Sequence, residues 1–138
     1  MYTQTSVPPQ GYPAPGTAVS IPLYVLWRHK GLITDRWHQG KPMVISNSGR
    51  AGYVCEEPWD VFAAGYPVQF DGYPSGLPSF EVLRRARALI GTRYQPLHWN
   101  CDHLVAVAHG QEPESPQVAA TAIVAVIAVG ISLLTARR

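Results

Sequence analysis

Residues 100 to 110 read NCDHLVAVAHG, and the reading of the rest of the chain depends on how this stretch folds. Asparagine is a strong helix N-cap, Leu104, Val105, Val107 and Ala108 supply an apolar body, and Gly110 is a stop signal. The stretch predicts a short helix that begins at Asn100 and has Cys101 in its first turn. Unpaired backbone N–H groups and the positive end of the helix dipole meet there. Both favour a thiolate, the nucleophilic form of cysteine. The competing reading of Cys101 is an inert buried thiol, since cysteine packs as a small apolar side chain.

A thiol nucleophile needs a base, and the chain offers five histidines. His103 is two residues from Cys101 on the same helix, a spacing that points side chains apart. His109 falls in the last turn, where a cation suits the dipole. His38 lies in the polar WHQGK turn and His98 in the loop before the cysteine helix. His29, on a strand otherwise built of apolar residues, is the best-placed base. Ser46, Asn47 and Ser48 could supply the third group that orients an imidazole, and Asn47 is the expected one. Ordinary turn chemistry is the alternative for each of the three. Cys55, with no helix start and no base signal nearby, is assigned to packing.

Around these residues the pattern predicts a mixed α+β domain, a small antiparallel sheet packed against helices. Pro22 to Ile33 alternates Leu23, Val25 and Trp27 and reads as a strand. Lys41 to Ser48 reads as a second strand, Gly49 to Gly52 as a turn, and Ala51 to Cys55 as a third short strand. Pro58 to Ala64 reads as a brief helix with Gly65 past its end. Ser79 to Ile90 is the clearest soluble helix, capped by Ser79, stopped by Gly91, with Phe80, Leu83, Ala86 and Ile90 on one face. Arg84, Arg85 and Arg87 fall outside that face, either as a solvated surface or as a contact for anionic lipid.

The chain has 138 residues, 46% of them hydrophobic, with 11 basic and 9 acidic side chains. That suffices for one domain with appendages. Two of the basic residues are the terminal Arg137 and Arg138, which leaves the remainder balanced and without the basic footprint of a nucleic-acid binder. Two separated cysteines and no CxxC give neither a zinc cage nor a disulfide scaffold, so no metal and no cofactor is expected. Residues 1 to 20, rich in Pro and Gly, read as a disordered arm, residues 21 to 116 as the domain, and residues 117 to 138 as a C-terminal hydrophobic segment. Within that segment Val118 to Ala136 is uncharged and, at about 1.5 Å per residue, reaches just under the roughly 30 Å of a bilayer core. It is expected to be a transmembrane or membrane-anchoring helix, with the domain on the cytoplasmic side because no export signal and no disulfide pattern are visible.

Arg28-His29 before a short apolar strand, then Val44-Ile45, Arg84 to Gly91, and Asn100-Cys101-Asp102-His103-Leu104-Val105 follow one another in an order that resembles the lecithin:retinol acyltransferase-like family, whose hallmark reads NCEHFV. The resemblance continues through Gly110, Ser115, Gln117 and Val118 into the hydrophobic tail, so that only the Pro-rich arm lies outside it. It implies a circularly permuted papain-like fold in which the histidine strand precedes the cysteine helix, with Cys101 as nucleophile and His29 as base. Relatives carry a second histidine on the next strand. Here that position is Ser46, followed by Asn47. Asp102 for Glu and Leu104 for Phe are milder departures. The implied activity is acyl transfer through an acyl-thioester, on a lipid ester or amide bond, with phospholipid as the preferred substrate class. Two alternatives stay open: an amidase or peptidase of the same fold, and a membrane-tethered binding module whose catalysis is disabled.

Overall fold

A computed structural model of the chain describes residues 11–25, 27–113 and 116–136. The fold is α+β, with a five-stranded antiparallel sheet in the order β4-β3-β2-β1-β5. The strands are β1 (Ala18–Tyr24), β2 (Trp27–His38), β3 (Lys41–Ser48), β4 (Tyr53–Pro58) and β5 (Gln69–Gly72). The helices are α1 (Trp59–Ala63), α2 (Ser79–Ala88), α3 (Cys101–Ala108) and α4 (Pro116–Ala136).

Alternation along the central strands divides the core between the two faces of the sheet. Ala18, Leu32, Ile45 and Val54 face one way and pack with Val82 and Ala86 of α2 and Leu104 and Ala108 of α3. Val19, Ile21, Ile33 and Val44 face the other way and close over Phe62 of α1. Gly31 makes the second face possible, since a Cβ there would lie 2.5 Å from Val44 Cγ1 and 3.0 Å from Phe62 Cε2.

β3 covers the span expected for it, and several neighbours differ. The stretch from Pro22 to Ile33 is a hairpin rather than one strand: β1 and β2 pair antiparallel, ending with Tyr24 opposite Trp27. The apolar alternation runs on through the tip, where Val25 is fully exposed, and no Gly, Asn or Pro marks the reversal. The third strand runs Tyr53–Pro58 instead of Ala51 to Cys55, because the turn occupies the residues through Gly52, whose φ is +85°. On α2 the N-cap is Pro78, Ser79 is already helical, and no side chain caps the end. Its buried face is Val82, Leu83 and Ala86, while Phe80 and Ile90 are exposed. The three arginines of α2 are all paired with acids, Arg84 and Arg85 with Glu81, and Arg87 with Asp35 and Glu56, which fits a solvated surface rather than a lipid contact.

The arm expected over residues 1 to 20 ends earlier. Residues 1 to 10 lie outside the described residues, but the Tyr12 ring packs edge-on against Trp37 and Trp59, and Gly16 N–H donates to the Ile33 carbonyl at 2.7 Å. His109, buried at the C-cap of α3, bonds the Gly16 carbonyl through Nε2 at 2.8 Å and Ser75 Oγ through Nδ1 at 2.6 Å. Burial lowers its pKa, so it joins two segments as a neutral ring instead of serving the helix dipole as a cation. At the other end α4 contains the whole stretch from Val118 to Ala136, and Ile123, Val124, Val126, Ile127, Val129 and Ile131 on it are exposed. Among the described residues no helix is long and apolar enough to cross a membrane.

Candidate active site

Asn100 is the N-cap of α3: its Oδ1 accepts from Asp102 N–H at 3.0 Å, and its own N–H donates to His103 Nδ1 at 3.0 Å. His103 therefore plays the part that Glu or Gln plays in a capping box, and it is turned back to the cap rather than toward Cys101. Asp102 is equally committed, with Lys30 Nζ 2.8 Å from its Oδ1 and Gln117 Nε2 donating to its Oδ2 at 2.9 Å. Gln117, near the base of α4, also grips β2: its Oε1 accepts from Arg28 N–H at 2.6 Å and its Nε2 donates to the Arg28 carbonyl at 3.2 Å. One side chain thus ties α4 to the strand that carries His29 and to the helix that carries Cys101.

The Cys101 thiol is buried and donates to the Arg28 carbonyl at 3.7 Å. Burial pushes its pKa up to about 11; the Lys30 backbone N–H pulls the other way and the Asp102 carboxylate adds to the rise. The expectation of a resting thiolate is corrected, because desolvation of the sulfur outweighs the helix start. His29 is the complementary case. Burial, with the Arg50 guanidinium adding to it, lowers its pKa to about 4, so the imidazole is neutral at pH 7. Its ring lies 5.1 Å from that of Phe62.

Sheet parity decides what can hold His29. Gly31 is directly opposite Ser46, so His29, two residues before Gly31, shares a face with Ser46 and not with Asn47. Asn47 lies on the face of Ile45, fully buried, and its Nδ2 donates to the Trp99 carbonyl at 2.7 Å. The assignment of Asn47 as the orienting residue is therefore corrected: it supports the loop that enters α3. Neither serine replaces it, since Ser46 Oγ reaches Glu57 Oε1 at 3.5 Å and Ser48 Oγ accepts from Ala51 N–H at 3.3 Å. Cys55 lies at the edge of the same polar cluster, its Sγ 3.9 Å from Glu57 Oε2, and burial raises its pKa.

Cys101 and His29 both line a cavity of about 500 Å³, with Leu23, Trp27, Phe62 and Tyr66 among its walls. Among the described residues the two make no hydrogen bond with each other, and the thiol hydrogen is directed at the Arg28 carbonyl. No group of His, Cys, Asp or Glu among the described residues could hold a metal ion. Compared with protein-family models and with curated proteins, the chain matches none.

The arrangement is chemically a neutral thiol and a neutral imidazole, a proton donor and a proton acceptor, in the lining of one mostly apolar cavity. Sequence reasoning missed Arg50, which lines this cavity too, because in the SGRAG turn an arginine looks like any solvated loop residue. Its importance comes from Glu57, a partner on the next strand that no spacing rule connects to it.

Proposed function

We propose that this chain is a cysteine-dependent acyl-transfer enzyme, either an acyltransferase or a hydrolase, acting on ester or amide bonds of lipids, with the permuted papain-like arrangement of the lecithin:retinol acyltransferase-like proteins it resembles. The single observation that carries this reading is that Cys101 at the start of α3 and His29 on β2 border one cavity with apolar walls. The reaction requires the Cys101 sulfur to leave the Arg28 carbonyl, by a change of rotamer, and to meet His29. His29 takes the thiol proton, the sulfur bonds to the substrate carbonyl carbon, and the Cys101 backbone N–H faces the oxyanion. As the carbon–oxygen or carbon–nitrogen bond breaks, the imidazolium returns its proton to the leaving alcohol or amine and an acyl-thioester remains. Water, an amine or an alcohol then takes the acyl group. The apolar walls favour a lipid chain over a peptide.

Attachment to a lipid surface through residues 118–136 belongs to the same proposal. The exposed apolar side chains of α4 support it, and Gln117 would keep such an anchor next to the cavity. The test is intact-mass spectrometry after incubation with an activated decanoyl ester and, separately, with phospholipid vesicles. The expected result is a decanoyl adduct on Cys101, absent in Cys101→Ala and formed about 10²-fold or more slowly in His29→Ala. Labelling of both variants at the wild-type rate sinks the assignment. Removal of residues 119–138 should abolish reaction with vesicles and spare the soluble ester.

A further inference from the structure

The walls of the Cys101–His29 cavity are mostly apolar or aromatic, with Ser48 among them, and Arg50 is the one Arg, Lys, Asp or Glu among its described lining residues. Arg50 is held in place by Glu57 of β4, whose Oε2 accepts from Arg50 Nη2 at 2.8 Å. The two side chains are unequally placed, 62% exposed for Arg50 and 10% for Glu57, so the carboxylate sits within the protein and the guanidinium at the opening. Ser46 Oγ contacts the other oxygen of Glu57 at 3.5 Å. Among the described residues the guanidinium makes this one hydrogen bond, which leaves the donors on Nη1 and Nε for a ligand. An arginine already oriented by a carboxylate loses little freedom on binding, and its planar fork matches the oxygens of a carboxylate or phosphate.

We propose that the cavity takes an amphiphile bearing a negatively charged group, a carboxylate or a phosphate, and that Arg50 binds that group while Glu57 acts as its positioning residue. The proposal rests on the reading of this cavity as the substrate site but not on chemistry at Cys101.

The test measures binding of decanoate, decyl phosphate and decanol, each below its critical micelle concentration, to full-length Cys101→Ala protein at pH 7 by calorimetry. Decanoate or decyl phosphate should bind at least about 10-fold more tightly than decanol, the scale of one charge-assisted hydrogen bond. Whichever anion binds more tightly identifies the carboxylate or phosphate source. Arg50→Gln should remove the preference while leaving decanol affinity in place, and Arg50→Lys should keep part of it. Glu57→Gln, which frees the guanidinium, should weaken anion binding without touching decanol. Equal affinity for all three ligands, binding of none, or a preference that survives in Arg50→Gln overturns the proposal. A wild-type protein that binds in this pattern yet forms no acyl-thioester would refute the enzymatic reading alone.

Discussion

A protonated thiol and a neutral imidazole are the resting state that burial imposes on Cys101 and His29. Alkylation should follow from it. At pH 7 iodoacetamide is expected to modify half-buried Cys55 faster than buried Cys101, and the Cys101 rate should climb as pH rises toward about 11. Peptide mass spectrometry of a pH series reads both sites, and fast labelling of Cys101 at neutral pH would mean that the helix start prevails over desolvation. Asn47 gives a second prediction at this scale. Loss of its hydrogen bond to the Trp99 carbonyl in Asn47→Ala should cost about 1–2 kcal/mol of stability by urea denaturation. The pH dependence of acyl transfer should stay where wild type has it. A displaced acid limb would show that Asn47 does act on His29. The proposed nucleophile and base were legible as residues because cysteine after a capping asparagine and histidine within an apolar strand are local signals. Which residue shares a face with His29 was not, because alternation puts the neighbours Asn47 and Ser46 on opposite faces of the sheet and only the pairing of Gly31 with Ser46 says which is which.

Among the elements, α3 owes its start to a reciprocal pair of bonds between Asn100 and the residues after it. Asn100→Ala removes the side-chain half, and about 1–2 kcal/mol of stability should go with it, as read by chemical denaturation. The His103→Ala variant should lose less, since the Asn100 side chain still caps Asp102 N–H. If neither change is felt, packing of Leu104 and Ala108 alone secures the helix. The helices and β3 were visible from apolar spacing, stops and, for α3, a cap within single segments. The β1–β2 hairpin was hidden, because a tight reversal between two apolar strands leaves their period intact. β5 was hidden as well: all four of its residues are exposed, and its pairing with β1 supplies what its sequence does not.

For the molecule as a whole, the two perturbed groups bound a window of stability. His29 has its pKa lowered from 6.5 to about 4, so as pH falls through that interval the unfolded chain binds a proton that the folded one refuses, and stability drops. Burial moves His103 and His109 in the same direction. Cys101 has its pKa raised from 9.0 to about 11, so as pH rises through that interval the folded chain keeps a proton that the unfolded one loses, and stability drops again. Each shift amounts to on the order of 3 kcal/mol. Urea midpoints should therefore peak between about pH 6.5 and 9, with a shallower acid limb in His29→Gln; a midpoint that stays level from pH 7 down to about 4 would contradict the burial of the imidazole. The sequence by itself determined the α+β class, the place of Cys101 at a helix start and the extended strand carrying His29, since each depends on residues within a few positions of one another. Only the tertiary structure decided that Cys101 and His29 share a cavity, that Asn47 faces away from it and that Arg50 stands at its opening. Those outcomes depend on strand register and on burial, and both are set by contacts between segments far apart along the chain.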